Sequence, residues 1–138
     1  MKFLPREHRE LVEKALREYP IREEEYKALE KTITDLCRPS SLLRVGASGA
    51  VTSEQERIVE AKESNARFQW LECHVETIKK GLRRLNRRER AIVRMFFWEG
   101  YLNFEIAEWM HLEIRYFRRL KAAALTKLAR VFIPAFSE

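Results

Sequence analysis

Apolar residues recur every three or four positions along most of the chain, and no segment alternates apolar and polar residues for long. The first pattern is typical of amphipathic helices and the second of half-buried strands, so the sequence predicts an all-α fold. Pro5 fits the first turn of a helix that runs to about Glu18. Pro20 lacks an N–H and disfavours helix at the residue before it, which predicts a second helix over 21–37 and an N-terminal helical hairpin over 1–37.

The middle of the chain predicts a loop followed by one long helix. Residues 38–52 hold one of the four prolines and two of the four glycines, and we expect a linker there. Ser53 and Glu56 have capping-box spacing, which indicates the start of a long connecting helix over 53–85. Its apolar positions form a heptad seam at Phe68, Leu71, Val75, Ile78, Leu82 and Leu85. Such a seam fits either a packing face within one chain or the contact of a homo-oligomer formed through helical segments.

Residues 86–138 contain helix-start and helix-end signals that fit a helix-turn-helix unit. Asn86 and Glu89 form a second capping pattern, and Gly100 is a plausible left-handed end for the helix that follows. Asn103 is predicted to cap a short helix that ends near residue 110. A last helix then begins near residue 113 and is expected to end at Pro134, because proline cannot continue the backbone hydrogen bonding. Two helices joined by a short turn, the second one basic, are the outline of this motif.

The side-chain pattern is more specific than this outline. Paired helices of a helix-turn-helix cross closely, so several positions must be apolar and one must be small. Ala107 occupies the small position, and His111 occupies the turn position that usually needs a left-handed backbone. The residues predicted to be buried are Ile106, Met110, Leu112, Phe117 and Leu120.

Charge is concentrated in the second half. The chain of 138 residues carries a formal net charge of +6, but residues 1–78 balance to −2 and residues 79–138 to +8. No acidic residue occurs between Arg115 and Arg130. Such an excess indicates a polyanionic partner, and arginine can read guanine edges or pair with phosphates. The candidate DNA-binding residues are Asn103, Arg115, Tyr116, Arg118, Arg119 and Lys121, with Ile114 against a thymine methyl and Arg87 and Arg88 on flanking phosphates.

The sequence does not support a membrane protein, a secreted protein, a metalloprotein or an enzyme. No apolar run is long enough to span a bilayer, and residues 1–10 lack the apolar stretch of a secretory signal. Cys37 and Cys73 form neither a disulfide framework nor a metal-binding spacing. No phosphate-binding loop or nucleophile motif occurs, so we expect no enzyme activity, metal or cofactor. An intracellular, reduced protein is the resulting expectation.

Particular stretches resemble a known family. Residues 85–93 (LNRRERAIV), 98–100 (WEG) and 106–108 (IAE) are similar to the promoter-reading region 4 of bacterial sigma factors. With the Tyr19-Pro20 junction, the small-residue loop and the long charged helix, the whole resembles the ArpU/RinA family of phage late-gene transcriptional regulators. The resemblance also covers residues 111–113 (HLE), although Glu113 stands where the family has serine.

The residue pattern divides the chain into a helical hairpin over 1–37, a linker over 38–52, a connecting helix over 53–85 and a helix-turn-helix DNA-binding unit over 86–138. The resemblance implies a function: binding to double-stranded DNA upstream of late promoters in prophages of Gram-positive bacteria, with activation of packaging and structural genes. We therefore expect a protein of the bacterial cytoplasm, associated with the nucleoid, with bacterial RNA polymerase as a second partner to test. Two alternatives stay open: a DNA-packaging protein like small terminases, and a module that binds RNA polymerase or a sigma factor.

Overall fold

The computed structural model describes residues 4–37 and 53–136, and within these ranges every regular element is a helix. The all-α prediction is therefore confirmed. The elements are α1 (Arg6–Cys37), α2 (Glu54–Ser64), α3 (Ala66–Arg83), α4 (Arg87–Val93), a π-helical turn (Arg94–Trp98), α5 (Asn103–Trp109) and α6 (Ile114–Phe136). The linker predicted over 38–52 lies outside the described residues.

The chain divides into two compact units. The first contains Met1–Pro20 and Val75–Glu138, and the second contains Ile21–His74. Helices α4 to α6 therefore belong to one unit with the N-terminal part of α1. No helix in the described ranges is long and apolar enough to cross a membrane.

The predicted N-terminal hairpin is wrong, because α1 continues without a break through Pro20. Proline at this position leaves the carbonyl of Leu16 without its usual donor in the helix. The indole Nε1–H of Trp98 donates to that carbonyl instead, at 2.7 Å. The Tyr19 ring lies beside the same indole, with centroids 5.6 Å apart. One missing backbone hydrogen bond is thus replaced by a side chain from the π-helical turn, which the local sequence could not reveal.

The predicted connecting helix is also wrong as a single element. It is interrupted at Asn65, whose backbone is extended at φ −93° and ψ 104°. Asparagine competes well for helix caps, and here its Oδ1 accepts a hydrogen bond from the N–H of Phe68 at 2.9 Å. The start of α2 is as predicted, with the Ser53 hydroxyl accepting from the N–H of Glu56 at 3.1 Å. The helix after this interruption, α3, ends at Arg83, two residues before the predicted end at 85.

The heptad seam is a packing face inside the chain. Its members Phe68, Leu71, Val75 and Ile78 are fully buried, and Leu85 nearly so. A coiled-coil dimer through this seam would need the same side chains on the surface. The seam therefore does not provide the homo-oligomer contact that its spacing allowed.

In the first unit, α6 packs very closely on the end of α3. A Cβ atom added at Gly81 would lie 2.7 Å from Cε1 of Phe132 and 2.9 Å from Cδ2 of Leu128, both of which are buried. Glycine inside a helix costs about 1 kcal/mol relative to alanine. The close approach of α6 is the physical reason for glycine at this position.

Candidate nucleic-acid interface

Helices α5 and α6 form the helix-turn-helix, and α4 packs against α6. The capping box predicted at the start of α4 is confirmed. The N–H of Glu89 donates to Asn86 Oδ1 at 2.8 Å, and the N–H of Asn86 donates to Glu89 Oε1 at 3.0 Å. The Glu89 carboxylate is only 2% exposed and also accepts from Lys127 Nζ at 2.7 Å. One carboxylate thus caps α4 and connects it to α6, a contact that the sequence did not predict.

Two predictions concern the connection from α4 to α5: the left-handed Gly100, which is confirmed, and the Asn103 cap, which is wrong. Gly100 has φ +81°, so the left-handed end is confirmed. Helix α5 begins one residue earlier than predicted, because Leu102 is the capping position and its N–H donates to Glu105 Oε1 at 2.9 Å. Asn103 is therefore the first residue of the helix and not its cap.

The turn and the core of the motif are as predicted, but the predicted end of the last helix at Pro134 is wrong, because α6 continues through this proline to Phe136. His111 has φ +58°, and among the described non-glycine residues it alone is left-handed. Ile106 and Phe117 are fully buried with Ala107 beside them, together with Ile92 and Met95 from the preceding elements. The partly buried residues around this cluster are Phe96, Met110, Leu112, Ile114 and Leu120. Because apolar packing fixes the angle between α5 and α6, the exposed side of α6 is held in one orientation.

Four of the predicted DNA-binding residues lie on that exposed side, in the first two turns of α6. Arg115, Arg118 and Arg119 are exposed, and Tyr116 is 42% exposed. Arg87 and Arg88 are also exposed, at the start of α4. The sequence of α6 contains no acidic residue, so its own side chains do not neutralise these cations.

Three other candidates lie elsewhere. Ile114 is half-buried and packs against the core cluster, so its position does not support the predicted contact with a thymine methyl. Lys121 is only 8% exposed, with its Nζ 3.3 Å from the centroid of the Phe96 ring and 3.2 Å from Asn103 Oδ1. Lys121 and Asn103 thus contact each other instead of presenting two free side chains.

The surroundings of Lys121 are electrostatically unfavourable for an ammonium group. Burial lowers the pKa of Lys121 from 10.5 to about 8; Glu13 opposes this shift, and Arg9, Arg17 and Arg118 add to it. The sequence held a signal for this burial. Lys121 follows Phe117 by four residues and precedes Leu125 by four, which places it on the buried side of α6.

Among the described residues, no group of three or more histidine, cysteine, aspartate or glutamate side chains could hold a metal ion. What the site offers is a rigid, basic helix surface with one exposed aromatic ring.

Comparison with known proteins finds a similarity in sequence over part of the chain. No family profile matches the chain, and no solved structure does. The RNA polymerase sigma-G factor of Bacillus subtilis (strain 168) is 36% identical over 66 residues, which make up 48% of this chain and 25% of that protein. The chain therefore contains a sigma-factor-like region. The match spans about a quarter of the length of this curated relative.

Proposed function

We propose that the protein is a sequence-specific regulator of transcription that binds double-stranded DNA through α6. The observation that carries this proposal is the set of exposed side chains Arg115, Tyr116, Arg118 and Arg119 on a helix whose orientation is fixed by the core cluster. The similarity to a sigma factor supports a role in transcription.

The mechanism follows from the placement of the charges. The first two turns of α6 enter the major groove, where a guanidinium can donate two hydrogen bonds to O6 and N7 of guanine. The Tyr116 hydroxyl is placed to contact a phosphate or sugar oxygen, which fixes the register without reading a base. Arg87 and Arg88 at the start of α4 provide further phosphate contacts.

The finer role that we propose is activation of late packaging and structural genes in a phage or prophage. What supports this role is the resemblance to the ArpU/RinA regulators of the stretches 85–93, 98–100, 106–108 and 111–113, drawn from the sequence alone. Run-off transcription from a template with the selected binding site upstream of a promoter tests this role. Addition of the protein should raise the amount of transcript, and a lower amount would identify a repressor.

A second candidate function, a module that binds RNA polymerase, is favoured by a separate surface around α5. Tyr101, Phe104 and Trp109 are 45%, 61% and 65% exposed, which is unusual for large apolar side chains so close in sequence. A cavity of about 520 Å³ that Tyr101 and Trp109 line is also lined by Glu99, Glu105 and Glu108, of which Glu99 pairs with Arg94 at 3.0 Å. An acidic, aromatic surface suits a basic protein partner, so we propose polymerase contact through this side of the same regulator.

Substitution of Arg119 tests the DNA-binding proposal. We expect Arg119→Ala to weaken binding of the selected duplex by ~1–3 kcal/mol, or to relax the preference at one base pair, because a bidentate contact is lost. Fluorescence anisotropy on the selected duplex and on its single-base variants measures both effects. Lys14→Ala in α1 removes the same charge from an exposed position outside α6 and is the control. Unchanged affinity and preference in both Arg115→Ala and Arg119→Ala would refute the assignment of α6.

A further inference from the structure

A groove of about 850 Å³ lies along the side of α6, and its remaining lining comes from Leu4, from Arg9 in the first turn of α1 and from Asn103 at the start of α5. None of the described residues that line it is acidic. The cations that line it are Arg9 from α1 and Arg118, Arg119, Lys121, Lys127 and Arg130 from α6. We refer to this feature as the basic groove. All of its lining residues belong to the first compact unit.

The shape of the basic groove suits a chain of anionic groups better than one small ion. Between its charged walls the lining includes the small side chains of Ala122, Ala123 and Thr126, which let a ligand come close to the helix. From Arg118 to Arg130 the groove follows α6 over roughly 18 Å, at 1.5 Å per residue. A DNA strand has one phosphate per ~3.4 Å of helix axis, so this length accommodates several phosphates.

The charges of the groove are only partly neutralised by the protein itself. Arg9 Nε donates to Glu13 Oε1 at 3.0 Å, and Lys127 donates to the buried Glu89. Arg118, Arg119 and Arg130 are exposed. Lys121 is mostly buried, and its pKa is lowered first by that burial, with Glu13 opposing the shift and Arg9, Arg17 and Arg118 adding to it. The exposed arginines are therefore the groups that would attract an anion into the groove.

We propose that the basic groove receives the sugar–phosphate backbone of the bound duplex, with Arg9 and Arg130 as phosphate contacts on either side of it. The proposal rests on the DNA-binding function proposed above and extends its surface beyond the helix-turn-helix. Helix α1, which precedes the sigma-like stretches in the sequence, thereby becomes part of the DNA-binding surface. Arginine suits this role because its planar fork can hold a phosphate through two hydrogen bonds.

The test is the salt dependence of binding. Kd for the selected duplex is measured from 50 to 300 mM salt for Arg9→Ala, Arg130→Ala and the double variant. Each substitution should weaken binding about three- to tenfold and reduce the slope of log K against log salt by ~0.9, because one phosphate contact is lost. The recovered base preference should stay unchanged, since phosphates carry no sequence information. Arg9→Lys should retain most of the slope.

Matched controls separate a local contact from net charge. Arg6 and Lys14 lie on the same helix, are exposed, and do not line the groove. Their alanine variants should bind within about twofold of the wild type with an unchanged slope. Circular dichroism melts of every variant confirm that the fold is retained.

Three outcomes would overturn the proposal in distinguishable ways. If the wild type binds no duplex at any salt, the DNA-binding function fails and this inference fails with it. If the wild type binds a selected duplex but Arg9→Ala and Arg130→Ala behave like the Arg6 and Lys14 controls, only the groove assignment fails. If the same two variants lose binding to a poly-glutamate peptide while DNA binding stays unchanged, the groove serves an acidic protein instead.

Discussion

Replacement of Trp98 by phenylalanine tests why α1 is continuous. The indole Nε1–H of Trp98 donates to the carbonyl of Leu16 at 2.7 Å, in the place where residue 20 would donate if it were not proline. Phenylalanine keeps an aromatic ring beside Tyr19 and removes only the donor and part of the ring volume. We therefore expect Trp98→Phe to leave the carbonyl of a fully buried leucine without a partner.

The magnitude follows from two contributions. An unsatisfied buried acceptor costs about 1–3 kcal/mol, and the smaller ring costs roughly 1 kcal/mol in packing. The sum is a loss of about 2–4 kcal/mol in the free energy of unfolding. Trp109→Phe on the exposed side of α5 is the matched control and should change this free energy by less than ~0.5 kcal/mol.

The assay is urea unfolding followed by circular dichroism, arranged as a double-mutant cycle with Pro20→Ala. Alanine at position 20 restores a backbone N–H for the carbonyl of Leu16, so Trp98→Phe should cost only the packing contribution in that background. A coupling of about 1 kcal/mol or more is expected. If the two substitutions change the free energy of unfolding additively, within the ~0.5 kcal/mol typical of independent sites, Trp98 does not replace the hydrogen bond that Pro20 lacks.

Two further substitutions test the packing of α6. Lys121→Met should raise the free energy of unfolding at pH 7 by roughly 1–2 kcal/mol after allowance for solvent screening, because burial lowers the pKa of Lys121 from 10.5 to about 8. Between pH 8 and pH 10.5 the unfolded wild type binds more protons than the folded wild type, so the free energy of unfolding of the wild type rises with pH. The stability advantage of Lys121→Met should therefore shrink over this range. A difference in free energy of unfolding that stays constant from pH 7 to 10.5 would contradict this prediction. Gly81→Ala should lower stability by about 1 kcal/mol, since overpacking outweighs the gain in helix propensity. In a Phe132→Leu background the penalty should decrease, and thermal melts that show stabilisation by alanine would argue against the close contact.

The parts of the fold that the sequence predicted are those determined by neighbours in sequence. The Asn86–Glu89 capping box, the left-handed Gly100 and His111, and the alternation of buried and exposed positions around Phe117 all depend on residues within one or two turns. Local hydrogen bonding and helical periodicity are enough to decide such features. For the same reason the sequence predicts the exposed arginines at the start of α6 correctly.

One error has its physical origin in a contact between residues distant in sequence, and two others ignored local signals. Pro20 was predicted to end a helix, but its missing hydrogen bond is replaced by a donor 82 residues away from the acceptor. Lys121 was predicted among the exposed side chains of α6, but its spacing from Phe117 and Leu125 indicates the buried side. At Asn65 the sequence contains two competing local signals, a capping residue and heptad spacing, and in the structure the cap interrupts the helix.

Selection of bound sequences from a random pool of duplexes, at physiological salt, tests the central claim most directly. Reading of bases by α6 predicts that the wild type recovers a defined motif and that the Arg115→Ala, Arg119→Ala double variant recovers an altered motif or none. Binding without any enriched motif, which collapses as salt rises, would leave only attraction between a basic helix and phosphates. That result would contradict sequence-specific regulation by this protein.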